Sequence, residues 1–68
     1  MNMIPIVNSS DLAAAGYENG ILYIEFLSGT TYRYFDVPEA VFNSLMNANS
    51  RGRYFHAFIK NHYRYQRL

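Results

Sequence analysis

The last third of the chain carries the residues best suited to chemistry: Arg53, Lys60, Arg64 and Arg67, with His56 and Tyr63 among them. Several cations on one surface attract phosphate backbones by releasing counterions, and nearby rings can stack on unpaired bases. On a helix that runs far enough, at about 100° per residue, the four cations fall within about 60° of one another. His56 and Tyr63 flank one edge of that stripe. An ordinary solvated helix face is the competing reading. Such faces, however, mix Glu with Lys to gain pairs four residues apart, and this chain has no acid after Glu39.

The charge balance points the same way. Residues 1–50 hold one base, Arg33, against five acids, Asp11, Glu18, Glu25, Asp36 and Glu39, whereas residues 51–68 hold five bases and no acid. A net charge of +1 therefore conceals a strongly basic C-terminal part. The partner this implies for the basic part is an anion.

A second surface consists of Tyr23, Arg33 and Phe35, with Glu25 beside them. It could act as an aromatic platform for bases. It could equally be covered by the segment Ile4–Val7 or by a second copy of the chain, and Glu25 would repel phosphate. Other chemistries find little support. His56 and His62 project in different directions from a helix, and with no Cys and no clustered carboxylates neither a metal nor another cofactor is expected. Ser9-Ser10-Asp11 reads as a turn or strand-entry hydrogen-bonding motif, since no His is placed by sequence to activate a hydroxyl. The four glycines form no phosphate-cradling loop. No general acid–base pair or catalytic triad assembles from the pattern, so the expectation is a non-catalytic protein.

The elements that must position these residues follow from turns and parity. Asn19-Gly20 between two apolar runs signals a two-residue hairpin. That turn pairs Glu18 with Ile21, Tyr17 with Leu22, Ala15 with Ile24 and Ala13 with Phe26, and sets Gly16 opposite Tyr23. At the next turn a two-residue loop would bury Arg33. A three-residue loop, Leu27-Ser28-Gly29 with Gly29 left-handed, pairs Ile24 with Tyr32 and Leu22 with Tyr34 and leaves Arg33 outside. Tyr32 and Tyr34 then belong to the core.

Val37-Pro38 ends the strand, with Pro38 suited to the first helical position and Glu39 to the positive helix start. Val41, Phe42, Leu45 and Ala48 form an apolar stripe, Asn49 suits a left-handed stop and Ser50 an N-cap. In the second helix Phe55, Phe58, Ile59 and His62 make the core-facing stripe, and Gly52 permits close contact between the helices. Tyr63 and Tyr65 would project about 200° apart on that helix. The two Tyr-Arg-Tyr stretches, 32–34 and 63–65, would then share letters and differ in geometry.

The expected fold is α+β: a three-stranded antiparallel β-meander (about 12–18, 21–27 and 30–37) followed by two α-helices (about 38–48 and 51–65) packed on one face of the sheet. Ile-Pro-Ile-Val at 4–7 is expected as an added edge strand. The 68 residues hold one domain with a thin core, stable by a few kcal/mol. Without Cys, a basic leader or an apolar run of about 18 residues, the expectation is a cytoplasmic protein with no membrane partner.

Together these residues resemble the KTSC family, small domains found at the C-terminus of some lysyl-tRNA synthetases and as stand-alone bacterial and phage proteins. The matching residues include Val7, Ser9-Ser10, Tyr17, Phe26, Gly29, Tyr32-Arg33-Tyr34, Val37-Pro38, Val41 and Leu45. They continue through Ala48-Asn49-Ser50-Arg51-Gly52, Tyr54-Phe55, Ile59-Lys60 and Tyr63. The resemblance covers nearly the whole chain and implies a single compact domain over residues 1–68, with RNA binding as the suggested role. The alternative is a protein–protein interaction module, phage-encoded or self-associating as a homodimer, since Tyr and Arg are favoured at interfaces.

Overall fold

The computed structural model describes residues 2–68. The chain runs β1 (Ile4–Pro5), β2 (Leu12–Glu18), β3 (Ile21–Phe26), β4 (Thr31–Tyr34), α1 (Glu39–Met46), α2 (Arg51–Phe58) and β5 (Tyr65–Arg67). The sheet has five strands in the order β1-β2-β3-β4-β5, all neighbours antiparallel, rather than the three of a bare meander. The expected edge strand at Ile4–Pro5 is present, and a proline is tolerated there because an edge strand need not donate on both sides. The unexpected strand is β5, which returns after both helices to lie beside β4.

The turns obey the parity argument. Asn19 and Gly20 both take positive φ, 54° and 80°, as a type I′ hairpin turn demands. Gly29, at φ 94°, closes a three-residue loop in which the Phe26 N–H donates to the Thr30 carbonyl at 2.8 Å. Leu22 therefore pairs with Tyr34, Ile24 with Tyr32, and Tyr23 with Arg33. The first hairpin keeps its register from Glu18 to Ala14 and then slips. Leu12 rather than Ala13 lies opposite Phe26, because a bulge between Leu12 and Ala14 inserts one residue. The slip exchanges an alanine for a fully buried leucine, which removes more apolar surface from water.

Both helices pack on the sheet face that carries Leu22, Ile24 and Tyr34, contributing Leu45 and Phe55, with Ile59 just past α2, to one core with Leu12 and Val37. Helix α1 begins one residue later than expected, with Pro38 as its extended N-cap, and ends at Met46. Asn49 is not left-handed. Ser50 caps α2 as expected, its hydroxyl accepting the Arg53 N–H at 3.2 Å. Helix α2 stops at Phe58, seven residues short of the expected end at 65. The Lys60 N–H donates to the Phe55 carbonyl at 2.9 Å, one residue wider than helical spacing, and Asn61 takes φ 69°, which turns the chain out of the helix. His62, expected in the core stripe, is exposed, and so is Phe58.

With the helix broken, Tyr65 lands opposite Tyr34 and Arg67 opposite Tyr32. The Tyr65 ring centroid lies 5.6 Å from that of Tyr32 and 5.9 Å from that of Tyr34, and Phe55 covers Tyr34 edge-on at 5.6 Å. Tyr34 is only 4% exposed, whereas Tyr32 is half-buried. Burial, reinforced by the neighbouring Tyr32 and Tyr65 phenols, pushes the Tyr34 hydroxyl from the ordinary 10.0 up to about 12.

Two outcomes follow. An added Cβ at Gly20 meets nothing within 4 Å, so Gly20→Ala should lose only the cost of a left-handed L-residue, about 1–2 kcal/mol, read as a lower urea midpoint with unchanged slope. For Tyr34, the folded state holds its phenolic proton to higher pH than the unfolded state. Its contribution is therefore fully present below pH 10 and is lost as pH rises towards 12, by at most about 1.4 kcal/mol per unit. Urea unfolding at pH 9 and pH 11.5 should show that loss, and Tyr34→Phe should flatten it; an equally steep loss in the variant would assign it elsewhere.

Candidate nucleic-acid interface

The break after α2 and the pairing of β5 together build a cleft of about 330 Å³ between the sheet's inner face and the end of the helix. Alternation along β5 sends Tyr65 and Arg67 to the inner face with Tyr32 and Tyr34, and leaves Gln66 with Arg33 on the outer one. Rings of Tyr32, Tyr34, Tyr65, Phe26 and Phe55 line the cleft. Lys60, Arg67 and His56 bring positive or titratable groups to it, and Asn61, Ser28 and Thr30 add neutral polar ones. The β3–β4 loop supplies Ser28 and Thr30, while the turn that ends the helix supplies Lys60 and Asn61.

The basic helical stripe does not exist in the form expected. Arg64 and Arg67 lie beyond the helix, on opposite faces of the sheet. Arg64 stands over the Phe35 ring at 4.9 Å and Arg33 over the same ring at 5.4 Å. Arg64 also pairs with Asp36 at 3.6 Å, both largely exposed, and Arg33 donates to Gln66 Oε1 through Nε at 2.9 Å and through its Nη2. The outer surface of Tyr23, Arg33 and Phe35 thus gains Arg64 and Gln66. Arg53 lies in the first turn of α2, lining a separate polar groove with Ser9, Asp11 and His56. Tyr63 is half-buried against the core and is not a free stacking group. Of the six residues proposed from sequence, the structure brings Lys60, Arg67 and His56 together and disperses Arg53, Arg64 and Tyr63. Sequence reasoning missed Tyr65, Asn61 and the cleft role of Tyr32. The signal for Tyr65 and Arg67 was their period-two spacing on a short C-terminal strand.

The six Lys and Arg residues differ in what occupies them. Arg33 has Gln66, Arg64 has Asp36, and Arg51 donates to the Met46 carbonyl at 2.6 Å. Among the described residues Arg53, Lys60 and Arg67 have no acid within 4.0 Å, and two of those three line the aromatic cleft.

The polar groove has a different character. Ser9 Oγ accepts the Leu12 N–H at 3.0 Å and the Asp11 N–H at 3.4 Å, capping the entry to β2. The Ser9 hydroxyl donates to Asp11 Oδ1 at 3.3 Å, and Asp11 Oδ2 lies 2.5 Å from His56 Nε2. The imidazole thus meets the carboxylate and not the hydroxyl, so the chain of contacts straps β2 to α2 instead of activating a nucleophile. Gly52 makes its close approach here and not to the other helix: a Cβ on it would lie 3.1 Å from Asp11 Oδ1 and 3.2 Å from Ser9 Oγ. Among the described residues no three His, Asp or Glu side chains gather as metal ligands would.

Comparison with known proteins agrees with this architecture. A KTSC domain protein from Yersinia pestis, solved by crystallography, superposes with a TM-score of 0.93 at 33% identity, over 98% of this chain and 96% of that one. An uncharacterised protein of Stutzerimonas stutzeri is 46% identical over 65 residues, 91% of this chain and 92% of its own length. A lysine–tRNA ligase of a Nostoc species is 51% identical over 47 residues, which are 69% of this chain but only 8% of the ligase. The family model for the KTSC domain matches residues 8–63. The chain therefore belongs to the KTSC domain family.

Proposed function

We propose that this KTSC domain is a non-catalytic module that binds RNA or a related nucleic acid through the cleft beside β5. The carrying observation is that two cations without an acid within 4.0 Å among the described residues, Lys60 and Arg67, reach the same aromatic cleft from two separate places, the turn after α2 and the edge strand. Unpaired cations bind phosphate without first giving up an internal partner, and exposed rings bind bases with little regard to sequence. His56 borders the cleft but is engaged by Asp11, so its part is secondary. That a lysine–tRNA ligase carries a segment similar to this chain supports the reading. The cytoplasm is the compartment this reading implies. No helix among the described residues is long and apolar enough to cross a membrane.

The second reading, a protein-interaction module or homodimer, has one specific observation in its favour. The stack of Arg33, Phe35 and Arg64 on the outer face adjoins an edge strand that is exposed throughout.

Fluorescence anisotropy of labelled single-stranded RNA, tRNA and duplex DNA at two salt concentrations separates the readings. Lys60→Ala and Arg67→Ala should each weaken RNA binding and lower the salt slope by about one. Arg64→Ala, on the opposite face, should leave that slope unchanged. Absence of binding at micromolar protein and low salt, or a slope that responds to Arg64 and not to Lys60, would overturn the cleft assignment. A molecular mass that rises with concentration in sedimentation, without RNA binding, would favour the second reading.

A further inference from the structure

We infer that the cleft is a one-nucleotide subsite, taking a single unstacked nucleobase against Tyr65 and Tyr32 with its phosphate between Lys60 and Arg67. This rests on the nucleic-acid reading above and narrows it to one ligand class, a nucleoside phosphate, free or as one unit of a single strand.

Size is the first argument. At about 330 Å³ the cleft is at the bottom of the range of about 300–1,000 Å³ typical of ligand pockets. It has room for one planar ring and its attached sugar phosphate, and none for a base pair. Bases in a duplex also keep their faces covered by their neighbours, so a ring-lined cleft selects unpaired ones.

The rings supply the second argument. Tyr65 is 56% exposed although it touches two other tyrosines. It is tilted by 49° to Tyr32 and 40° to Tyr34, so it closes face to face on neither, whereas Tyr32 and Tyr34 stack on each other with centroids 6.4 Å apart. Tyr34 is fixed beneath them by Phe55, giving the cleft a rigid floor under a more open wall. An aromatic ring that stacks without saturating its neighbours leaves π-surface for a base.

Polar placement is the third. Cations alone would fit any anion, and rings alone any apolar group. Here both meet Asn61, whose amide carries donors and an acceptor, together with Ser28 and Thr30, whose hydroxyls lie 3.3 Å apart. Hydrogen-bonding groups beside a stacking surface are what a base edge needs, and a ligand without a planar ring leaves the stacking surface unused. The turn that holds Asn61 at φ 69° is also the turn that delivers Lys60, so base-edge and phosphate groups are positioned by one local structure.

The test is titration of the uniformly ¹⁵N-labelled protein, followed by amide chemical shifts, with adenosine 5′-monophosphate, uridine 5′-monophosphate, adenosine, ribose 5-phosphate, inorganic phosphate and an RNA tetranucleotide. At millimolar concentration the nucleoside monophosphates should shift residues 28–30, 60–61 and 65–67. Adenosine and inorganic phosphate should each bind at least about tenfold more weakly. Tyr65→Ala and Lys60→Ala, both at exposed positions and checked for retained amide dispersion, should each weaken monophosphate binding about tenfold or more, in line with the stacking energy of one base. The tetranucleotide should bind more tightly than the monophosphates if the natural ligand is a strand. Monophosphates that bind while the tetranucleotide does not would keep the subsite and identify the ligand as a free nucleotide. A tetranucleotide that binds equally well to Tyr65→Ala, with monophosphates silent, would overturn the subsite and leave the nucleic-acid reading standing. Silence of monophosphates and tetranucleotide alike would overturn both. Shifts identical for phosphate and for the monophosphates, unaffected by Tyr65→Ala, would reduce the cleft to an anion contact and overturn the base-binding claim.

Discussion

The pairing of β5 with β4 is the contact on which the functional surface depends. Three residue pairs, Tyr34 with Tyr65, Arg33 with Gln66 and Tyr32 with Arg67, are extended at each end by the Phe35 N–H to the Arg64 carbonyl and the Leu68 N–H to the Thr31 carbonyl, both at 2.9 Å. A short edge strand has little energy of its own, and every residue of β5 is exposed. Its alternation nevertheless decides which side each side chain serves. A slip of one residue would place Gln66 in the cleft and send Tyr65 and Arg67 to the outer face. The register is held from both faces at once, by the tyrosine contacts within and by the Arg33–Gln66 bonds without.

That arrangement needs a rigid base, and the core provides it where the two halves of the chain meet. Phe55 is 1% exposed and touches the rings of both Phe26 and Tyr34, so one helical side chain ties α2 to two strands. A buried aromatic of that kind contributes about 1.5–3 kcal/mol by burial, a large share of what a domain this small can have. Around the rim, Tyr17 donates its hydroxyl to the Val37 carbonyl at 2.5 Å and stacks on Phe42 at 5.4 Å, fixing the connection into α1. The Ser9–Asp11–His56 strap does the same for the start of β2 against α2. The cleft therefore opens on an exposed edge, over a floor anchored at several points.

Much of this was legible because strand parity is a discrete test. A loop of two residues at Ser28-Gly29 would have buried Arg33, an uncompensated charge, and a loop of three did not; the observed pairs of β3 with β4 match the second choice throughout. The hairpin at Asn19-Gly20 was equally constrained, and only the bulge at Ala13 escaped, since a local insertion leaves no mark in an all-apolar Leu-Ala-Ala-Ala run. The end of α2 was harder. Residues 59–68 contain neither Gly nor Pro, and Phe55, Phe58, Ile59 and His62 fit helical spacing well enough to carry the helix on. The break rests on Asn61, a residue that tolerates the left-handed region without announcing it, and on tertiary demand for a partner along the free edge of β4. Misplacing that one boundary took Tyr63 and Arg64 out of the expected site, whereas His56, Lys60 and Arg67 share the cleft and Asn61 and Tyr65 join them.

The two Tyr-Arg-Tyr stretches show the consequence most directly. On a helix the second copy would have pointed its tyrosines apart. As the approach to a strand it behaves like the first: Tyr65 turns inward beside Tyr32 and Tyr34, and Arg64 turns outward. Both arginines then meet at one ring, Phe35, from which Arg33 and Arg64 stand 5.4 Å and 4.9 Å away. Only Tyr63 departs from the pattern, half-buried against the core. Pairing 65–67 with 32–34 puts Tyr65 on the inner face with Tyr32 and Tyr34, while Arg33 and Arg64 stand on the outer. On that outer side the arginines are held by Phe35, Gln66 and Asp36, so the cations at the sheet edge without an acidic partner among the described residues are those of the inner cleft, Lys60 and Arg67. The asymmetry between faces thus follows from the register of β5 on β4, and it is this asymmetry that makes the inner cleft the better place for an anionic, aromatic ligand.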